Sequence, residues 1–366
     1  MAFFRRRRPA SSPVAVAPSA PAPADPWHFE HPYDFTRTLL YPLVLISAVN
    51  SGLLAHIQQR SPATRSTLSA EPTFRNQGML QALLDALVAF GIVTDTEGSY
   101  RLTARGEALV PGGRLHDEVA LAGSQMLPTW LAIPAALDAD KVPYEVAQGA
   151  PFYGYMGGHP ATGAQFQHFM TTASSAVAAP LASVAAPLLA RLTAGLTHPV
   201  LVDIGGASAV NMIALLHAVP TLHGIIYDMP PNLASARQAL ANAGLTERCQ
   251  VAGGTMFEQV PSGDVFLLSQ VLHDFDDAQA HQVLAQCAAQ QPHGILLFEQ
   301  VLPNAGAPPP STAAMNFIMH SLFGTGERSL AAYQTLLADV GYHITSADPA
   351  SAAPQWVIVA EPAERA

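Results

Sequence analysis

Pro199 to Pro230 reads PVLVDIGGASAVNMIALLHAVPTLHGIIYDMP. An apolar run, Val200-Leu201-Val202, ends in Asp203 and then in Gly205-Gly206. A helical segment from Ser208 to His217 follows, and a second apolar run, Ile225-Ile226-Tyr227, ends in Asp228. The order is strand, glycine turn, helix, strand, with a carboxylate closing the second strand. Glycines let the backbone pass close to a ligand, and a helix start offers unpaired N–H groups. A carboxylate roughly 20 residues past the turn is placed to accept both hydroxyls of a ribose. The stretch therefore predicts a nucleoside-containing cofactor above the strand ends. The loop runs Gly205, Gly206, Ala207, Ser208, Ala209, so the G-x-G-x-x-G pattern is absent and NAD is disfavoured. Taken alone, the same residues also read as a glycine turn joining two buried strands.

Downstream, strand candidates at 200–204, 224–228, 249–252, 265–269, 294–299, 342–346 and 355–360 alternate with helices, notably Leu233 to Ala243 and Asp277 to Ala289. This alternation predicts a mainly parallel, doubly wound α/β sheet. Upstream, Leu115 to Leu196 reads as helices. Phe166 and Met170 share one helix face there, either as core or as the lid of an apolar pocket in which methionine adapts to ligand shape. Earlier still, Leu39 to Ala55 and Asn76 to Phe90 read as helices, with Gly52 breaking the first. Residues 91–103 then read as a small hairpin turning at Asp95 to Gly98. Helices followed by a β wing make a winged-helix unit. Arg75 is almost alone as a cation by the third helix, which favours dimerisation over DNA binding.

The 366 residues are more than one ordinary domain needs. At 49% hydrophobic and 12% charged they can bury a large core, and the formal charge of −10 argues against a general nucleic-acid partner. Two cysteines, Cys249 and Cys287, exclude a disulfide framework and fit a reducing cytoplasm. Leu39 to Ala55 is interrupted by Pro42, Asn50, Ser51 and Gly52, so it reads as a buried or subunit-interface helix rather than a membrane span. Residues 1–30, with Arg5 to Arg8 and a Pro/Ala/Ser tract, lack the long apolar core of a secretory signal and read as a disordered tail. The expected division is this tail, a winged-helix unit at 31–113, a helical lid at 114–195 and a cofactor domain at 196–366.

Val265 to Asp277 reads VFLLSQVLHDFDD. His273 follows a strand at its carboxyl end, where open α/β sheets hold ligands, and there it can serve as a general base. A hydrogen-bonded loop histidine is the plainer reading. Glu299 ends the strand Ile295 to Phe298, and Glu327 sits in the turn Gly324 to Arg328. A carboxylate on one imidazole nitrogen fixes the tautomer and leaves the other nitrogen to take a proton. His281, His293 and His320 are scattered, with no metal-ligand spacing.

The motifs VDIGGASA, YDMP, GGTMF, LLSQVLHDFDD, LLFEQVLP and GTGERS, in that order from about residue 35 to 360, resemble the plant-type O-methyltransferase family. That family uses S-adenosylmethionine (SAM) and includes caffeic acid O-methyltransferase and bacterial antibiotic-tailoring enzymes. The resemblance implies a homodimer with a class I methyltransferase Rossmann-like domain, acting on an aromatic or polyketide-like small molecule. It implies His273 as catalytic base with Glu299 and Glu327 in support, Asp228 on the SAM ribose, Gly205 beside the methionine moiety, Met256 at the adenine and Ser269 near the cofactor. Asp203, Gly206, Met229, Thr255 and Gln270 complete the expected cofactor set. Phe166, Met170, Asn316, Met319 and His320 are the expected acceptor-pocket residues. No metal is implied.

The chain departs from the family pattern at Ala207 and Ala209, where glycines are usual, and at Thr255, where an acidic residue is usual. A non-glycine in a left-handed conformation costs roughly 1 kcal/mol, and an added methyl would crowd the cofactor if it faced it. Asn316 stands where the family has an acidic pocket residue. These departures motivate a second reading, an enzyme of this fold diverted to cyclisation, hydroxylation or decarboxylation. A third, a non-catalytic regulator working through the winged helix, is opposed by the acidic charge.

Overall fold

The computed structural model describes residues 34–350 and 353–363; the tail at 1–30 lies outside these. Gly52, at φ 74°, divides the first apolar stretch into helices α1 (Asp34–Asn50) and α2 (Leu53–Gln59). Helix α3 (Gln77–Ala89) starts where the Asn76 side chain accepts the Met79 N–H at 3.0 Å. The hairpin expected after it is β1 (Val93–Thr96) and β2 (Ser99–Leu102), with Ala63–Thr64 paired on the other edge of β2. Leu53, Leu54, Ile57, Leu68, Leu84 and Leu87 are the buried centre of this unit. Helices then follow to Leu192, among them α4 (Phe152–Gly158) and the 33-residue α5 (Pro160–Leu192). Among the described residues α5 is the single helix long and apolar enough to cross a membrane by itself. Leu181, Ala185, Leu189 and Leu192 of α5 join the buried core beside the sheet, as in a core helix.

The strands of the main sheet are β3 (Val200–Ile204), β4 (His223–Asp228), β5 (Cys249–Gly253), β6 (Val265–Ser269), β7 (Gly294–Glu299), β8 (Tyr342–Pro349) and β9 (Trp356–Pro362). Their spatial order is β8-β9-β7-β6-β3-β4-β5. From β7 to β5 all neighbours are parallel, while β9 runs antiparallel to both β7 and β8. Helices α6 (Val210–Ala218), α7 (Leu233–Asn242), α8 (Asp277–Ala289), α9 (Pro310–Phe323) and α10 (Leu330–Asp339) connect the strands. Parallel strands carry helices on both faces, so they read as unbroken apolar runs; every residue of β7 is buried.

Several element ends differ from expectation by one to three residues, and one has a local cause. The helix expected from Ser208 begins at Val210, because Ala209 turns into the left-handed region at φ 60° and serves as its N-terminal flank.

Candidate active site

Connections leave β3 in opposite directions, toward β4 and β5 on one side and β6 and β7 on the other. The crevice outside the strand ends at such a reversal is where doubly wound sheets take ligands. Asp203, Asp228, Ser269 and Glu299 all stand at the ends of these strands. Asp203 is 2% exposed. Burial, and then the charge of Asp228, push its pKa up to about 8. Gly206 is required beside it, since a Cβ there would lie 2.5 Å from the Asp203 carboxyl. Gly205, at φ 76°, brings the backbone past Val271 and Met256. The Asp228 carboxylate accepts the Ala207 N–H at 3.2 Å, the Met229 N–H at 2.7 Å and the Asn232 side chain at 2.7 Å. Burial raises its pKa all the same.

The rest of the expected cofactor set lies on the ends of the same strands and the loops that follow them. Met229 is half-exposed. The Thr255 carbonyl accepts the Tyr227 hydroxyl at 3.2 Å, leading into Met256. Ser269 Oγ accepts from Asn211 at 2.9 Å, and Gln270 turns through φ 53°. Two carboxyls, a close-running backbone and two methionines suit a nucleoside that also carries positive charge. The Ala209 methyl does not crowd this crevice: it is fully buried in the core cluster with Met212 and Leu215. The left-handed strain expected of a non-glycine is present there, while the steric expectation is corrected.

The loop from β6 to α8 carries the histidine. Val271 and Leu272 donate their N–H groups, each at 3.0 Å, to Glu299 Oε1, which fixes the start of the turn Leu272–Asp274. Arg328 closes the other side, donating to the carbonyls of Leu272 at 2.6 Å and Phe275 at 2.7 Å and to Asp277 at 2.9 Å. Asp276 caps α8, reciprocally with Gln279. His273 is thus held at 4% exposure, with Nδ1 2.9 Å from Glu327 Oε1 and 3.8 Å from Glu299 Oε2. Glu327 is oriented by its own N–H, which donates to Asn316 Oδ1 at 2.9 Å. Burial pulls the imidazole pKa down, but Glu299, the Glu327 bond and Asp274 outweigh it and push it up to about 10. Burial likewise lifts Glu299 to about 7. The three groups lie within 4.8 Å of one another, a spacing a metal ion also uses. Nδ1 is bonded to Glu327 Oε1 and Glu299 Oε1 to the Val271 and Leu272 N–H groups, while the second oxygen of each glutamate is buried without a hydrogen-bond partner among the described residues.

The acceptor set divides. Phe166 and Met319 belong to one apolar cluster with Tyr144, Phe152, Met156 and Leu322, in which the Phe152 and Phe166 rings meet edge-on at 5.0 Å. Met170 lies one turn beyond Phe166 on α5 and is half-buried. Asn316 is drawn to the Glu327 turn. His320 is exposed and lines a groove with Leu137, Lys141 and Phe317, and its Nε2 faces Gly326 in the Glu327 turn, where a Cβ would lie 2.6 Å from it. Sequence reasoning missed Asn232, Arg328, Asp274 and Tyr153. Asp274 adjoins the histidine in the quoted motif; Tyr153 donates to it from 121 residues away, where no local pattern points.

Residues 130–343, more than half of the chain, match the O-methyltransferase domain family. The chain belongs to this family. It is a SAM-dependent O-methyltransferase of secondary-metabolite biosynthesis, and its fold is the class I methyltransferase fold. This methyltransferase is 28% identical to the phenazine O-methyltransferase PhzM of Lysobacter antibioticus, over 72% of this chain and 76% of that one. It is 32% identical to the 2,7-dihydroxy-5-methyl-1-naphthoate 7-O-methyltransferase of Streptomyces carzinostaticus, over 74% of this chain and 81% of that one. Among solved structures, it resembles the O-methyltransferase of neocarzinostatin biosynthesis in complex with S-adenosyl-L-homocysteine and 1,4-dihydroxy-2-naphthoic acid. There the TM-score is 0.69 at 27% identity, covering 89% of this chain and 98% of that one. These relatives are methyltransferases by name and lend no support to a chain diverted from methyl transfer.

Proposed function

We propose that this methyltransferase methylates a phenolic or enolic hydroxyl of an aromatic small molecule of secondary metabolism, with His273 as general base. The observation that carries this is the imidazole held at Nδ1 by Glu327, with Nε2 left over at the end of β6 beside the crevice. Relatives named for phenazine and naphthoate substrates support an aromatic acceptor.

On this reading Asp203, Gly205, Gly206 and Asp228 hold SAM, with Met229, Thr255, Met256, Ser269 and Gln270 around them. Bound SAM supplies an activated methyl carbon. The residues of the chain then align an oxygen with it and remove a proton. Phe166 and Met319, with Met170 beside them, grip the ring of the acceptor and set that alignment, which by itself supplies much of a rate enhancement. Nε2 of His273 takes the hydroxyl proton. Glu327 holds the tautomer, and Glu299 places the turn. A phenol has a pKa of about 10, close to that of His273, so the proton passes between partners of matched affinity. Since the base must be neutral, kcat/KM rises with pH between about 7 and 10.

We also assign pairing of two copies to residues 31–113, supported by the exposed Leu39, Leu40 and Tyr41 on α1. Residues 114–195 form the lid, and 196–366 hold the cofactor. The two buried, unpaired thiols fit a reducing cytoplasm.

The test is transfer of labelled methyl from SAM to a panel of dihydroxynaphthoates and aminohydroxybenzoates. His273→Ala should lower kcat by roughly 10²–10⁴ while calorimetry shows SAM binding intact. Undiminished transfer by that variant removes His273 as the base.

A further inference from the structure

Beyond the base itself, the lid helix reaches it. Nδ1 of His273 is taken by Glu327, so Nε2 is the nitrogen that must meet the acceptor hydroxyl. The group standing next to Nε2 is Asp274, whose Oδ1 is 3.5 Å away, longer than a hydrogen bond. The other oxygen of Asp274 accepts the hydroxyl of Tyr153, which comes from α4. The Tyr153 ring is fixed edge-on against Phe152 at 5.4 Å and lies at 5.4 Å from the ring of Phe323 at the end of α9. The ring is half-exposed, but burial at its hydroxyl end and the charges of Asp274 and Asp228 raise the phenol well above 10, so it remains a neutral donor. A carboxylate with two free oxygens beside an imidazole would close to full contact with it, tighten its hold on the proton further and cover the nitrogen the acceptor needs.

We propose that Tyr153 is a positioning residue for the base: its hydroxyl holds the Asp274 carboxylate off His273 Nε2, keeping that nitrogen open to the acceptor. This rests on the reading of His273 as base. The charged and titratable groups facing the imidazole are Glu299 from β7, Glu327 from the turn after α9 and Asp274 from its own turn. Beyond them lie Arg328, bonded to the carbonyls around His273, and the buried Tyr333 of α10. Among these, Asp274 is the carboxylate that faces Nε2, and in the structure its second oxygen is bonded to the lid.

The test is a titration of His273 by NMR in protein labelled at histidine Cε1, with the resonance assigned by its loss in His273→Asn. Four proteins are compared: wild type, Tyr153→Phe, Asp274→Asn and the double variant. Phenylalanine keeps the ring contacts and removes only the donor. Tyr153→Phe should raise the His273 midpoint by about one unit as Asp274 closes on it, and Asp274→Asn should lower it by at least as much. The double variant should match Asp274→Asn, because Tyr153 acts through Asp274. An unchanged midpoint in Tyr153→Phe overturns the proposal. So does a shift that persists without the carboxylate, or an Asp274→Asn variant that titrates with the wild type. The titration needs no acceptor, so it stands apart from the methyl-transfer assay: activity surviving in His273→Ala removes the base and leaves the midpoints as they are.

Discussion

Replacing Asp203 by Asn should remove much of the pH dependence of stability. Asp203 is carried from 3.8 up to about 8 by burial and then by Asp228. The folded chain therefore keeps a proton that the unfolded chain releases near pH 4, and stability falls as pH rises from there toward 8. At 2% exposure there is little solvent to relieve the charge. Between pH 5 and 7 the slope is about 1.4 kcal/mol per unit, or roughly 2.7 kcal/mol in all. Asparagine keeps the shape and carries no charge. Glu299 and His273 also titrate upward of their ordinary values, and both make stability fall with pH, but they do so in either protein and cancel in the comparison. Urea unfolding of both proteins at pH 5, 6 and 7 reads the difference directly. The variant should gain on the wild type by about 2–3 kcal/mol across that range. Parallel curves would refute the assignment of a proton to Asp203 at neutral pH.

Two further outcomes follow from the site. Arg328→Met strips donors from the Leu272 and Phe275 carbonyls, so urea unfolding should show a loss of about 2–5 kcal/mol; a loss under about 1 kcal/mol would mean those carbonyls find other donors. Ala209→Gly relieves about 1–2 kcal/mol of left-handed strain, against about 0.8 for the buried methyl and 0.5–1 for the freer unfolded chain. Stability should then change little, and calorimetry should find SAM affinity unaltered. A tenfold change in affinity would put that methyl against the cofactor after all.

The sheet was legible because its strands are buried on both faces. Each of the seven runs found in the sequence is a strand to within a few residues, even where the last two gain length at their ends. The helix after His273 was placed from the sequence at Asp277 to Ala289, the bounds it has in the structure. The carboxylates around the imidazole were legible as types and order, but their meeting depends on β7 and the turn after α9 converging, which no local pattern encodes. The direction of the Ala209 methyl was hidden for a similar reason: a dihedral angle preference says nothing of which side of the backbone holds the core. His320 follows Met319 by one residue, and that step of about 100° around the helix turns it from the apolar cluster toward Gly326 beside Glu327.

Helix α5 has a mechanical consequence. It carries Phe166 and Met170 at one end, while Leu181, Leu189 and Leu192 at the other are packed with the cofactor-bearing sheet. At about 1.5 Å per residue it is a rod roughly 50 Å long, and Pro180 and Pro187 inside it remove backbone donors where it enters the core. A lever of that length, tilted by about 3° at its seated end, moves its far end by roughly 3 Å. One helix thus joins the apolar cluster around Phe166 to the core beside the sheet, so a tilt at one end is carried to the other.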